Sequence, residues 1–215
     1  MYGYHFVRKD LKLSHGDGRK IVVGEKLTVN CEPILCKSGL HASEKVLDAL
    51  SWAQGSQLCR IRLSGAMVHD MAHEKDQSAA TERRVLWMFD ATDLLGYLSR
   101  WCAAQVVHHW DAPDVVLEHL RTGNEDLRAD AERASEKAEA TAGACARASK
   151  WACASATRAE SRAWASAKAW TWVGKNFPTE VWDRNVWADV SKEFHRLIPL
   201  ARAGRLPTEV VIPQK

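Results

Sequence analysis

The segment 129–169 contains 17 alanines among 41 residues, a bias that constrains the fold of this chain more than any other feature. Alanine has the strongest intrinsic helix preference, so the segment is expected to be helical. An alanine side chain buries little apolar area, so such a helix cannot form a thick core by itself. It needs other helices, or a second copy of the chain, to pack against.

The long alanine-rich helix is predicted to cover residues 125–172, in one of two forms. A continuous helix would be a rod of about 70 Å, and the compact alternative is a hairpin that breaks near Gly143. Residues 125–140 contain six acidic and three basic side chains, whereas residues 141–170 contain one acidic and five basic side chains. Acidic residues first and basic residues last favour a helix through its dipole.

The N-terminal part of the chain has a different pattern and makes the whole an α+β protein. Residues 1–90 contain short β-branched and aromatic runs separated by turns, which indicates a β-rich domain. One helix is expected over residues 44–53, with Ser43 as its N-cap. The expected strands include Tyr2–Val7, Lys20–Val23, Lys26–Cys31, Leu58–Leu63 and Arg84–Phe89.

The C-terminal part is predicted to be helical over residues 91–198. Pro113 is expected near the first turn of one of its helices and Gly123 just after the end of that helix. Apolar residues at helical spacing predict a final helix over about 179–198. Residues 199–215 are expected to form an extended tail.

Composition excludes several classes of protein. The chain has 30 Lys and Arg against 27 Asp and Glu, and the net charge of +3 does not by itself indicate nucleic-acid binding. No apolar run reaches the length of a membrane span, and the N-terminus lacks the apolar core of a secretory signal. These features predict a cytoplasmic protein with no membrane partner, whose six cysteines are reduced thiols.

Two groups of residues have spacings that metal sites use, and neither is complete. Cys31 and Cys36 would need a second pair of ligands to form a zinc site. His69 and His73 would share one face of a helix, but Asp70 stands where a zinc protease has Glu, and a third ligand is missing. We therefore expect a mobile loop around His69 and no metal.

The segment that begins at Cys36 contains a short motif, C-x-x-G-x-H-A, that ends at Ala42. With Gly3-Tyr4 near the N-terminus and the turn Gly24-Glu25-Lys26-Leu27, this motif resembles a family of small uncharacterised phage and prophage proteins. The resemblance covers roughly residues 1–90. It implies a phage-like origin and assigns no activity.

The same region is also similar to the central part of ADP-ribosyltransferase folds. The similar residues are Gly39 to Ser43, the following helix with Asp48 and Trp52, and the strand Leu58–Leu63. This resemblance implies that His5 or His41 contacts the ribose of NAD. It also implies that Glu82 stabilises an oxocarbenium-like transition state. The alternative is structural, with His41 bracing a turn and Glu82 in solvent at a strand edge.

The alanine-rich segment also presents a stripe of basic residues. At 100° per residue the basic side chains lie within about 120° of one another, with a tryptophan beside them. They are Arg147, Lys150, Arg158, Arg162 and Lys168, and the tryptophan is Trp151. Such a stripe can bind nucleic acid or an acidic protein surface. It can also be an ordinary solvated helix face.

Together these features favour a binding protein over an enzyme. The leading hypothesis is a phage- or prophage-encoded inhibitor that covers the surface of a host or defence protein in the host cytoplasm. The alanine-rich helix would mediate docking or self-association as a homodimer. No cofactor is expected, except NAD if the ADP-ribosyltransferase alternative holds. A second alternative is a nucleic-acid-binding protein that uses the basic stripe.

Overall fold

The computed structural model describes residues 1–13, 18–70, 76–105, 107–154 and 185–213 and confirms the α+β class. Its residues form two compact units, Met1–Ala91 and Thr92–Lys215. In the described ranges every strand belongs to the first unit, and the second unit is helical.

The first unit is an antiparallel sheet with one short helix. Its strands are β1 (Tyr2–Val7), β2 (Lys26–Thr28), β3 (Leu40–Ala42), β4 (Gln57–Asp70) and β5 (Gln77–Asp90), and its helix is α1 (Val46–Ser51). The strand order is β1-β4-β5-β2, and β3 also pairs with β5.

Strands β4 and β5 are longer than the sequence pattern predicts. Apolar and basic residues alternate only as far as Leu63, but β4 continues to Asp70, because its backbone pairs with β5 along that length. His69 and Asp70, which we expected in a mobile loop, therefore end a strand. His73 lies outside the described residues.

Two other expected strands are shorter than predicted or absent. The strand expected over Lys26–Cys31 ends at Thr28. The segment Lys20–Val23 makes only isolated bridges, through Lys20 and Val23. Its β-branched residues favoured a strand locally, but a strand also needs a continuous partner, and no described neighbour pairs with it along its length.

The sheet curls until β1 meets the residue that follows β3. Tyr4 donates its N–H to the carbonyl oxygen of Ser43 at 2.7 Å, and Ser43 returns a hydrogen bond at 3.1 Å. Gly3 permits this approach, because a Cβ at that position would lie 2.7 Å from the Ser43 carbonyl oxygen. The curled sheet encloses an apolar cluster that includes Val7, Ile61 and Val85.

The prediction that Ser43 caps α1 is wrong. The N-cap of the helix is Lys45, which makes no capping hydrogen bond with its own side chain. Asp76, from a distant part of the chain, binds the residues that lead into the helix: its carboxylate accepts the N–H groups of Glu44 and of the N-cap Lys45, each at 3.0 Å. Ser43 instead forms the bridge to β1.

The described helices of the second unit are α2 (Thr92–Ala104), α3 (Asp114–Thr122), α4 (Glu125–Ala154) and α5 (Asn185–Arg202), with a short 3-10 turn at Val107–His109. Pro113 and Gly123 bound α3 as predicted, and Gly123 has the left-handed φ of 70° that ends many helices. Among these helices, none combines the length and the apolar character that a bilayer-spanning segment requires.

The extended tail begins later in the chain than the sequence predicts. Helix α5 continues through Pro199 to Arg202, so residues 199–202 are helical rather than extended. Proline has a φ close to the helical value but no backbone N–H, so the helix continues through Pro199 with one internal hydrogen bond fewer. Beyond the helix, the tail packs through Val210, which is 1% exposed and donates its N–H to the carbonyl oxygen of Arg121.

The alanine-rich segment folds back on itself in its described part. Its backbone is helical over Glu125–Ala154, yet Lys150 Nζ lies 2.8 Å from Glu136 Oε1, fourteen residues earlier. Fourteen residues of straight helix rise about 21 Å, which is more than the two side chains can span. The segment therefore turns between them, and the midpoint is Gly143. This geometry favours the hairpin over the rod.

Candidate ligand-binding site

A cavity of about 460 Å³ lies in the first unit, walled by β1, by the segment 29–43 and by residues of α1 and β5. Its polar lining is basic: it includes two histidines, His5 and His41, and the cationic residues Arg8, Lys12, Lys37 and Arg83. Among the described residues, none of those that line it is Asp or Glu. The cavity is therefore suited to a negatively charged ligand.

Arg83 is the most unusual residue of this cavity. It is 2% exposed, and its Nη1 donates a hydrogen bond to the carbonyl oxygen of His41 at 3.0 Å. Its Nε and Nη2 are buried and have no hydrogen-bond partner. Burial lowers the pKa of the guanidinium to about 10, so it remains charged at neutral pH. Arg83 is thus a buried cation in the lining of the cavity, and two of its donors are reached neither by solvent nor by a protein acceptor.

The alternation of β5 places Arg83 in the cavity wall. Successive side chains of a strand point to opposite faces, so Arg83 shares the inner face with Val85, which is 1% exposed. We did not single out Arg83 from the sequence. The available signal was its position two residues before an apolar strand residue, but alternation does not reveal how deeply that face is buried.

His5 and His41 lie close to Arg83. His5 pairs with Cys59 across β1 and β4, and its pKa lies well below its ordinary value. Burial is the largest cause, followed by the charges of Arg83 and His41. His5 is therefore neutral at pH 7 and can donate or accept a hydrogen bond. His41, a candidate from the sequence, does line the cavity.

The C-x-x-G-x-H-A motif forms one wall of the cavity. Cys36, Gly39, His41 and Ala42 all line it. Cys36 has a φ of 59° and directs its thiol to Gln77 Oε1 at 3.2 Å. Gly39 has a φ of 98°, which favours glycine, and a Cβ there would contact neighbouring backbone at 3.3 Å. The motif therefore has a structural role in shaping the site.

Glu82, the second catalytic candidate, does not lie with His41 in the cavity lining. It does not line the cavity, and strand alternation turns it away from Arg83. Its Oε1 accepts a hydrogen bond from Lys26 at 2.9 Å and its Oε2 accepts one from Ser64 at 2.8 Å. These two bonds, that of Lys26 first, hold the pKa of Glu82 below its usual range. The geometry does not bring the two candidates together.

The two residues of the basic stripe whose side chains are described already have interactions within the protein. Arg147 and Lys150 are half-buried on α4, and the Lys150 ammonium is paired with Glu136. The side chain of Trp151 lies outside the described part of the structure. The same holds for all of Arg158, Arg162 and Lys168. The stripe stays a prediction.

The candidate metal ligands are not assembled in the described ranges. There, no three His, Cys, Asp or Glu side chains converge in a way that could hold a metal ion. His69 instead hydrogen-bonds to Ser78, its partner across β4 and β5. Cys31 and Cys36 are exposed free thiols, and burial raises the pKa of the Cys59 thiol to about 12.

Comparison with known proteins adds one finding to this geometry. A family model described as a domain of unknown function (DUF7666) matches residues 1–96. The match includes the cavity and the C-x-x-G-x-H-A motif, and the description assigns no activity. No match was found among curated proteins or among solved structures.

Proposed function

We propose that the first unit is a binding domain for a phosphate-bearing small molecule, held in the cavity by Arg83. The observation that carries this proposal is the buried guanidinium with two unpartnered nitrogens, Nε and Nη2. A buried donor without a partner costs about 1–3 kcal/mol, and more when the group is charged. Solvent does not reach the two nitrogens, so binding would require the cavity lining to shift and expose them, and an anionic ligand would then offset that cost.

The geometry of the unused donors favours phosphate. Nε and Nη2 of Arg83 carry the two parallel N–H bonds on one edge of the guanidinium, and such an edge binds two oxygens of one anion. Lys12 and Lys37 add positive charge to the cavity lining. The volume of about 460 Å³ lies in the range of small-molecule sites.

In this proposal the first unit binds its ligand without converting it chemically. NAD is one phosphate-bearing molecule that the cavity would attract, as the ADP-ribosyltransferase alternative requires. That chemistry also needs a carboxylate beside the ribose. Glu82 is held by Lys26 and Ser64 away from the cavity lining, so its position favours a ligand that is bound and not consumed.

A thermal-shift titration tests the proposal. Pyrophosphate and ADP-ribose should raise the melting temperature of the full chain in a concentration-dependent manner, whereas adenosine, which has no phosphate, should not. At a ligand concentration of one hundred times Kd the stabilisation is about 2.7 kcal/mol. Absence of any shift with millimolar pyrophosphate or ADP-ribose would refute the proposal.

The matched variants are Arg83→Gln and Arg84→Gln. The two residues are adjacent, but Arg83 is buried and Arg84 is exposed. Arg83→Gln should abolish the shift, and Arg84→Gln should retain it. Equal loss in both variants would show that overall charge, and not the cavity, attracts the ligand.

The inhibitor hypothesis stays a prediction about the whole protein. Affinity purification of the tagged chain from a bacterial lysate, followed by mass spectrometry and light scattering, tests it directly. One stoichiometric partner protein would support surface occlusion, and a monomer recovered alone would count against both occlusion and self-association. A ligand-binding first unit is compatible with either result.

A further inference from the structure

The outer face of the curled sheet carries a row of cations that its fold does not require. The strand register places one tyrosine and three cations side by side across β1, β4, β5 and β2, and we call this set of four residues the cationic row. Its members are Tyr2, Arg62, Arg84 and Lys26. All four are exposed.

The cationic row is unfavourable for the isolated protein. Directly opposite residues on neighbouring antiparallel strands have Cβ atoms about 5 Å apart, and like charges at that distance destabilise the sheet. Arg62 faces Arg84, and Arg84 faces Lys26. Glu82 partly compensates, since it accepts a hydrogen bond from Lys26. A polyanion along the row would relieve the remaining repulsion.

Aromatic rings lie beside the cationic row on the same face. In the next row, Arg60 is opposite both Tyr4 and Trp87. The Arg60 guanidinium lies 4.4 Å from the centre of the Tyr4 ring, and the Tyr4 and Trp87 rings meet edge to face at 6.4 Å. Tyr2, at the end of the cationic row, is 56% exposed, and the Arg60 guanidinium lies 5.9 Å from the centre of its ring. An exposed aromatic ring therefore lies next to positive charge on this face.

We infer that this outer face binds single-stranded nucleic acid, with phosphates along the cationic row and a base stacked on the exposed ring of Tyr2. Cations satisfy the charged backbone, and an aromatic ring stacks on any base. An acidic protein surface would satisfy the cations but would make no use of the exposed Tyr2 ring. A duplex would offer phosphates but keep its bases stacked on one another. The combination of features favours the single strand.

Fluorescence anisotropy of the full chain with a labelled twelve-nucleotide dT strand and the matching U strand tests the inference. Affinity should fall with salt concentration. The double variant Arg62→Gln with Arg84→Gln should bind more weakly and lower the slope of log K against log salt by about 1.4, because two phosphate contacts are lost. Tyr2→Ala should weaken binding roughly fivefold or more with the slope unchanged.

The control removes the same charge elsewhere. Lys192→Gln with Arg205→Gln changes two exposed cations of the second unit and should leave affinity and slope as in the wild type. Arg83→Gln should also bind normally, which separates this face from the cavity.

Three results would overturn the inference. The first is no binding of either strand at 50 mM salt. The second is an equal loss of affinity in the control variant. The third is competition by polyglutamate or by duplex DNA as effective as by unlabelled single strand, which would indicate an acidic protein surface or simple polyelectrolyte attraction.

Discussion

Arg83 and Arg84 are neighbours in sequence with opposite surroundings. Arg83 is 2% exposed and lies in the wall of the cavity, whereas Arg84 faces solvent in the cationic row. One residue step along a strand reverses the side chain's face, so two identical side chains have different physical roles. The proposed ligand site depends on the first arginine, and the inferred nucleic-acid face depends on the second.

At this scale, His5 makes stability depend on pH. Its pKa lies well below its ordinary value of 6.5 because burial, and then Arg83 and His41, disfavour the charged ring. Below pH 6.5 the unfolded state binds a proton that the folded state does not. The free energy of unfolding should therefore fall as the pH is lowered, by at most about 1.4 kcal/mol per pH unit from this residue.

Urea denaturation at pH 7.5, 6.5 and 5.5 measures this effect, and His5→Gln is the comparison. The variant should lose less stability than the wild type between pH 6.5 and 5.5. An equal loss of stability in the two proteins between pH 6.5 and 5.5 would contradict the assignment to His5.

Asp76 provides a second prediction for a single residue. Its carboxylate accepts the N–H groups of Glu44 and Lys45 at the start of α1, and it is 8% exposed. Asp76→Ala should lower the free energy of unfolding by about 1–3 kcal/mol, because two backbone N–H groups lose a charged acceptor. Ser43→Ala should have a smaller effect, since the Ser43 contact to β1 uses only backbone atoms. If chemical denaturation showed a larger loss of stability for Ser43→Ala than for Asp76→Ala, the prediction that Ser43 is the N-cap would be supported after all.

At the scale of the element, the alanine-rich helix shows what alanine allows. Ala131 and Ala146 are fully buried in one cluster with the larger side chains of Val116, Leu120 and Trp110. Small side chains let helices approach closely, and the neighbours contribute the apolar area that alanine lacks. The segment therefore packs within its own unit in its described part.

The fold-back of this segment can be measured by crosslinking. With Glu136→Cys and Lys150→Cys, a short flexible bis-maleimide should link the two positions within one chain, as identified by mass spectrometry of peptides. A rod would separate these positions by about 21 Å, which is beyond the reach of such a crosslinker. The single variants Glu136→Cys and Lys150→Cys, which cannot form this link, are the controls. Absence of the link, or links only between chains, would contradict the hairpin.

Much of the secondary structure was predictable because its signals are local. The alternation over Leu58–Leu63 indicated part of β4, and Pro113 with Gly123 marked both ends of α3. The errors arose where a residue that is distant in the sequence determines the local structure. The segment that leads into α1 is held by Asp76, about thirty residues along the chain, and the second half of β4 is held by pairing with β5.

At the scale of the whole molecule, the candidate site was only partly predictable. His41 and the C-x-x-G-x-H-A motif were singled out, and both line the cavity. Glu82 was not separable from Arg83 by sequence, because residue type alone did not say which face of β5 the loops would cover. The decisive property of Arg83, burial with two unpartnered donors, is not visible in the sequence.

The division into two units predicts that the first one is autonomous. It has its own apolar cluster, and the family match ends close to its boundary. A fragment of residues 1–96 should unfold in one cooperative transition and show the same pyrophosphate-dependent shift as the full chain. Calorimetry with and without pyrophosphate measures both properties. A fragment that folds but gives no shift, beside a full chain that does, would place the ligand site elsewhere.

The measurement that tests the central claim most directly is thermal unfolding of Arg83→Met with and without pyrophosphate. Methionine is apolar and unbranched and replaces the aliphatic part of the arginine side chain, so the variant removes a buried charge whose Nε and Nη2 have no partner. The account predicts a gain of about 1–3 kcal/mol in the free energy of unfolding, together with loss of the ligand-induced shift. A variant that is less stable than the wild type and still shifts with pyrophosphate would contradict it.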